Sequence, residues 1–154
     1  RPWIATPDAQ TDPDALAVVE AVARDLGCHW LTSGAAQHDQ AVALISHLPV
    51  LVSAALLRAV GEERDPEIRQ LAIALASSGF ADTSRVGGGN PDLGVAMASS
   101  NREAVLKGLA AYRWSLEQLE EAVLRDNWPQ LRQELQRTQA LRPEFLRTAP
   151  EVNP

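Results

Sequence analysis

The chain has 154 residues, 45% of them hydrophobic, and carries 14 Lys and Arg against 20 Asp and Glu for a net charge of −6. That length buries one respectable core in one or two units, and an acidic chain without a basic run excludes nucleic acid as a partner. The single cysteine, Cys28, excludes a disulfide framework and suits a reducing compartment.

In chain order, Trp3-Ile4-Ala5-Thr6 is predicted to be a short strand stopped by Pro7. No signal peptide precedes it, and the abrupt opening on Arg1-Pro2-Trp3, without an initiator Met, reads as that of a fragment. Asp12-Pro13 predicts a helix start, with Asp12 as N-cap and Pro13 at the first helical position. Leu16, Val19, Val22, Ala23 and Leu26 recur at helical spacing until Gly27. Cys28 to Thr32 follows as a second strand. A strand, helix and strand of this size cannot make a stable sheet alone, so the piece is expected to close the sheet of a larger α/β domain.

After Gly34 the pattern is all helix. The central segment, about Gln37 to Val60, is apolar on every face, and the periodicity predicts burial on all sides. Its longest uncharged run, Gln40 to Leu57, has 18 residues, the lower limit of a membrane span. Ser46, His47, Pro49 and Ser53 interrupt that run, so it reads as a soluble core helix and not as a membrane segment. Pro49 has no N–H to donate, which frees the carbonyl of Ile45 and predicts a bend. Asp65-Pro66 starts a further helix with Ile68, Leu71, Ala72 and Leu75 on its inner face, ending at Gly79. Residues 79–91, with four glycines, are predicted as a loop, and Asn90-Pro91 opens a short helix to about Ala98. Asn101 is expected to cap a long helix whose Val105, Leu109, Tyr112, Leu116, Leu119 and Val123 step by 4, 3, 4, 3, 4. That seam suits lengthwise packing on another helix. Trp128-Pro129 begins a last helix, and the chain from Arg142 is expected to fray.

Several groups in this frame could carry chemistry. His38 and His47, nine residues apart, point to opposite sides of a straight helix, and no third ligand stands at a suitable spacing, so no metal site is expected. His47 is either a satisfied core histidine or a ligand contact. Ser46 beside it makes no hydrolase pair, because neighbours on a helix do not face each other. Arg85 lies between Thr83-Ser84 and Val86-Gly87-Gly88-Gly89. It is either a surface ion pair with Asp82 or Asp92, or a fork offered to a carboxylate. The glycine run follows no strand and lacks the GxGxxG spacing, so it is no dinucleotide fingerprint.

Three stretches in order, HDQAVALISHLP from His38, SSGFADTSRVGGGNPDLG from Ser77, and the helix opened by Asn101-Arg102-Glu103, resemble the prephenate/arogenate dehydrogenase family of tyrosine biosynthesis. The similarity is greatest to arogenate dehydrogenases of the cyanobacterial type. It implies a mainly α fold, a helical dimerisation domain like the C-terminal domain of 6-phosphogluconate dehydrogenase, preceded by a short β-α-β remnant of a Rossmann domain. Residues 1–35 would be that remnant, 36–142 the dimerisation and substrate-binding domain, and 143–154 a flexible tail. The family's reaction is an oxidative decarboxylation. Hydride leaves the ring C4 position for NAD or NADP, a histidine takes the hydroxyl proton, and loss of the ring carboxylate aromatises the product.

The resemblance places the catalytic histidine and the cofactor's phosphate site in an N-terminal half not contained here, so no catalytic or cofactor-binding residue is assigned to this chain. It places the substrate-holding arginine at Arg85, with Thr83, His38, Ser46 and His47 lining or shaping the pocket for a small dicarboxylate. A homodimer and a cytoplasmic location are implied. Val50, Ala81 and Gly94 stand where many prephenate-specific members carry His, Arg and Trp, which leans toward arogenate. The rival expectations are a stand-alone helical dimer that binds a small carboxylate as a regulatory module, and the helical half of another nicotinamide-dependent dehydrogenase.

Overall fold

A computed structural model describes residues 1–146. It begins with strand β1 (Pro2–Ala5), helix α1 (Pro13–Asp25) and strand β2 (His29–Thr32). The two strands pair in parallel, with Trp3 opposite Trp30 and Ile4 opposite Leu31. The turn after β1 is tied by Asp8, whose Oδ1 accepts from the Gln10 N–H at 2.9 Å and the Thr11 hydroxyl at 3.0 Å. Those two donors hold its carboxyl below the usual carboxylate range. The predicted start of α1 is present: Asp12 Oδ1 accepts from the N–H of Asp14 at 2.8 Å, and Pro13 occupies the first turn. At the other end Gly27 adopts φ +71°, Cys28 N–H bonds to Ala23 O at 2.9 Å and Gly27 N–H to Arg24 O at 2.8 Å. This pair of bonds is the Schellman ending that a glycine makes inexpensive. α1 lies against β2, and Ala23 is fully buried.

Helices then follow to the end of the described residues, as the mainly α reading expects. The central segment runs from Ala35 to Gly61 as α2 (Ala35–Val42), a π-helical turn (Ala43–His47) and α3 (Leu48–Gly61). The irregularity lies before Pro49, where the sequence predicts a bend at the proline itself. Leu48 N–H reaches back five residues to Ala43 O, and the extra residue in that turn lets Pro49 fall in the first turn of α3. A proline there has no N–H to lose. The expectation that this segment is buried on all sides is corrected: Ala43 and Ser53 are buried, but Leu44 is 52% and Ile45 67% exposed. Among the described residues neither side chain is fully covered.

α4 (Pro66–Leu75) starts as predicted, with Asp65 Oδ1 accepting from Glu67 N–H at 2.9 Å, but it ends at Leu75 and not at Gly79. Ile68, Leu71 and Leu75, read as an inner face, are exposed. The glycine-rich stretch is not a loop. It forms α5 (Ser78–Ser84) and a 3-10 turn (Arg85–Gly88). α6 (Pro91–Ser100) follows, capped by Asn90, whose Oδ1 accepts from Asp92 N–H at 2.9 Å. α7 (Arg102–Leu124) carries the heptad seam, and α8 (Trp128–Leu146) contains Pro143 within it. Helix therefore continues through residues 143–146 of the predicted tail; residues 147–154 lie outside the described ones.

By backbone proximity the chain divides into two compact units, one of Arg1–His38 with the chain from Ala111 onward, the other of Asp39–Ala110. The second has a small core of Ala43, Ala104 and Val105, with Leu51 and Leu109 packed on it. α7 packs on the central segment at Gly108, where a Cβ would meet Leu44 and Leu48 at an ordinary contact distance of 3.6–3.7 Å. In the first unit the seam residues Leu116 and Val123 are each half exposed, as is Trp128 on α8.

Candidate functional site

The second unit contains a cavity of about 410 Å3, within the range of pockets that hold small ligands. The central segment supplies one wall through Ile45, Ser46, Pro49 and Val50. The turn after α5 supplies Arg85, Val86, Gly89 and Asn90, and α6 supplies Leu93, Gly94 and Met97. Arg85 is the one charged side chain among these, so the cavity has a cationic edge, a hydroxyl from Ser46 and otherwise mostly apolar walls. Among the described residues no carboxylate lines it. Such a space favours an anion with an apolar body, because nothing in its lining competes for the guanidinium.

The local structure explains how Arg85 is presented. Ser84 is buried and its hydroxyl donates to Phe80 O at 2.7 Å. Thr83 Oγ1 donates to Gly79 O at 2.8 Å. Both hydroxyls thus close the last turn of α5, and Arg85 begins the 3-10 turn directly after it. That turn then rests on α3: a Cβ on Gly87 would lie 2.2 Å from Ala54 N and 2.4 Å from Ser53 C. Gly87 N–H donates to Ser53 Oγ at 2.8 Å. The glycine is there for close backbone approach and not for flexibility. Among the described residues Arg85 makes no hydrogen bond or ion pair, so the surface-bridge reading with Asp82 or Asp92 is not realised.

Of the residues that the sequence marks as candidates, Ser46 and Arg85 are brought together on the cavity. Thr83 is exposed and bonded to its own helix. His38, half buried on α2, belongs to the other compact unit. His47 does not line the cavity; its Nδ1 lies 3.4 Å from Asn101 Nδ2. The same amide nitrogen donates to Asp39 O at 2.7 Å, which identifies it as the NH2 group because a carbonyl only accepts. The same NH2 group lies within 3.4 Å of His47 Nδ1. One amide thereby holds both sides of the π-helical turn. Asn101 is expected from the sequence to be a helix cap. Its side chain is used instead 54 and 62 residues away, a relation no local pattern reveals.

Val50 and Gly94, two of the departures from prephenate-specific members, meet on the cavity wall: a Cβ on Gly94 would lie 3.7 Å from Val50 Cγ1. The third, Ala81, is exposed on α5 and lines no part of the cavity.

The described residues also supply no dinucleotide site. The β-α-β piece has no glycine-rich turn, and Gly87 N–H, which a phosphate would need, is bonded to Ser53. Residues 34–137 match the model of the prephenate dehydrogenase dimerization domain. The chain belongs to the prephenate dehydrogenase family. An arogenate dehydrogenase from Synechocystis superposes with a TM-score of 0.88 at 50% identity, over 94% of this chain and 52% of that one. Prephenate dehydrogenase from Aquifex aeolicus, solved with hydroxyphenyl propionate and NAD+, gives 0.84 at 27% identity over 92% and 49%. Cyclohexadienyl dehydrogenase of Zymomonas mobilis is 28% identical over all of this chain and 52% of its own length. The chain thus spans about half the length of these relatives.

Proposed function

We propose that this chain is the dimerisation and substrate-binding region of an NAD- or NADP-dependent arogenate or prephenate dehydrogenase, a cytoplasmic homodimer whose dinucleotide-binding domain lies mostly outside residues 1–154. Residues 1–35 belong to that domain in this reading, and residues 36–142 form the helical one. The role of the helical region is to grip and orient the substrate. Arg85 takes a carboxylate of the small dicarboxylate substrate, Ser46 offers a hydroxyl, and Val50, Leu93 and Met97 exclude water from the ring. His47 and Thr83 shape the site without lining this cavity, His47 through its contact with Asn101. The aliphatic Val50 and the bare Gly94 favour arogenate over prephenate. The catalytic histidine and the hydride acceptor belong to the other domain, so no chemical step is assigned to residues of this chain.

The observation that carries this reading is an arginine that, among the described residues, has no ion partner and stands at the edge of a cavity lined by no acid. Removing one partner of a charge pair costs about 2–5 kcal/mol when the contact is desolvated. Arg85 is exposed in this chain, so the lower half of that range applies, roughly 30-fold to 300-fold in KM. In the complete enzyme Arg85→Ala is expected to raise KM for arogenate by that factor and to leave the dimer intact by light scattering. Unchanged KM would show that the guanidinium is no substrate ligand. Tight binding of arogenate, prephenate or tyrosine to residues 1–154 alone would point instead to the regulatory-module reading.

A further inference from the structure

We propose that Ser53, which does not line the cavity, is a positioning residue that fixes the substrate-binding cation of Arg85. The proposal rests on the reading of Arg85 given above. Ser53 is the one hydroxyl of α3, and it is 2% exposed in a helix that is otherwise almost wholly apolar. A buried hydroxyl needs a partner. Ser53 finds one in a different element, accepting from the Gly87 N–H at 2.8 Å across 34 residues of sequence. Gly87 lies two residues beyond Arg85 in the same 3-10 turn.

The backbones of that turn and of α3 are in direct contact there, with no room for even a Cβ at Gly87. α3 and the π-helical turn before it also carry Ser46, Pro49 and Val50 of the cavity wall. The Ser53–Gly87 bond therefore registers the cation against the wall on which the body of the ligand lies. Without it the turn keeps its packing but loses the directional contact that sets its position along α3. The guanidinium would then sample positions from which the carboxylate is out of reach.

The test is a double-mutant cycle in the complete enzyme, with kinetics on arogenate. Ser53→Ala is expected to raise KM roughly tenfold, about 1.4 kcal/mol, the upper end for one neutral hydrogen bond, with kcat within twofold. In the Arg85→Ala background the same substitution is expected to change KM less than twofold, since a residue that acts through the guanidinium has nothing left to position. A purely structural role would instead lower activity equally in both backgrounds, and that outcome overturns the proposal. So does an unchanged KM in the Ser53→Ala enzyme. If Ser53→Ala does not fold, Ser53→Cys keeps the volume with a weak acceptor and enters the same cycle. Should Arg85→Ala alone leave KM unchanged, the failure lies in the reading of Arg85; a strong effect of Arg85→Ala with none from position 53 places it in the positioning role.

Discussion

Gly87→Ala tests the contact on which the site is built. The added Cβ would lie 2.2 Å from Ala54 N, where ordinary contact begins at 3.4 Å, and the opposing atoms are backbone in the middle of a helix. The turn must therefore withdraw by about 1.2 Å, which stretches the 2.8 Å bond from Gly87 N–H to Ser53 Oγ beyond hydrogen-bonding distance. Leaving a buried polar group unsatisfied costs about 1–3 kcal/mol, and overpacking adds about 1–3 kcal/mol. Against this, alanine loses less freedom on folding than glycine, a gain of roughly 0.5–1 kcal/mol. The net is a loss of about 3 kcal/mol, or roughly 6–12 °C in Tm for a chain of this size. The assay is thermal unfolding by circular dichroism at one protomer concentration, because the Tm of an oligomer depends on it. Gly79→Ala is the matched control. It adds the same methyl in the first turn of α5, where nothing lies within 4 Å, and is expected to be neutral or stabilising by about 0.5 kcal/mol. A Gly87→Ala protein within about 1 kcal/mol of wild type, or a Gly79→Ala protein equally damaged, would refute the close-approach argument.

Two further outcomes are expected. Leu116, half exposed on α7 beside Leu119 and Val123, is placed to meet a second copy, so Leu116→Asp should give a monomer or insoluble protein by light scattering; a soluble dimer would move the interface elsewhere. Asp126 ends α7 at φ 52° in a Schellman arrangement, with Asn127 N–H bonded to Ala122 O at 2.8 Å; Asp126→Gly should raise stability by about 1 kcal/mol in urea unfolding, and a loss would show that the carboxylate has an unseen role.

Helix starts were the most legible part of the sequence. Asp12-Pro13, Asp65-Pro66 and Asn90-Pro91 each combine a side-chain acceptor with a proline that needs no N–H, and each forms the bond that this combination implies. Both signals are local. The glycine run was misread for the converse reason. Glycine permits either a mobile loop or a close backbone contact, and the choice depends on Ser53, 34 residues earlier. Arg85 was legible as a candidate, but its freedom from Asp82 and Asp92 depends on a turn that local pattern did not predict. The π-helical turn was half legible: Pro49 announced an irregularity, but its position depends on where the chain can absorb one residue.

The central segment, Ala35–Gly61, is long and apolar enough to cross a membrane by length and composition, and much of its surface is uncovered in the chain. Its polar residues decide between a lipid and a protein cover. Ser53 accepts from Gly87, His47 meets Asn101, and Ser46 lines the cavity opposite Arg85. The partners of Ser53 and His47 lie outside the segment, and the 3-10 turn that Ser53 meets also supplies part of the cavity wall. A lipid-facing helix has no use for side-chain partners of this kind, whereas the buried helix of a dimerization domain needs apolar faces toward its own core and toward a second copy. The exposed Leu44 fits surface that a second copy would cover in the proposed dimer, while Ile45 lines the cavity. In the proposed reading substrate binding and dimerisation depend on one helix, and a substitution that unpacks its exposed face should disturb both.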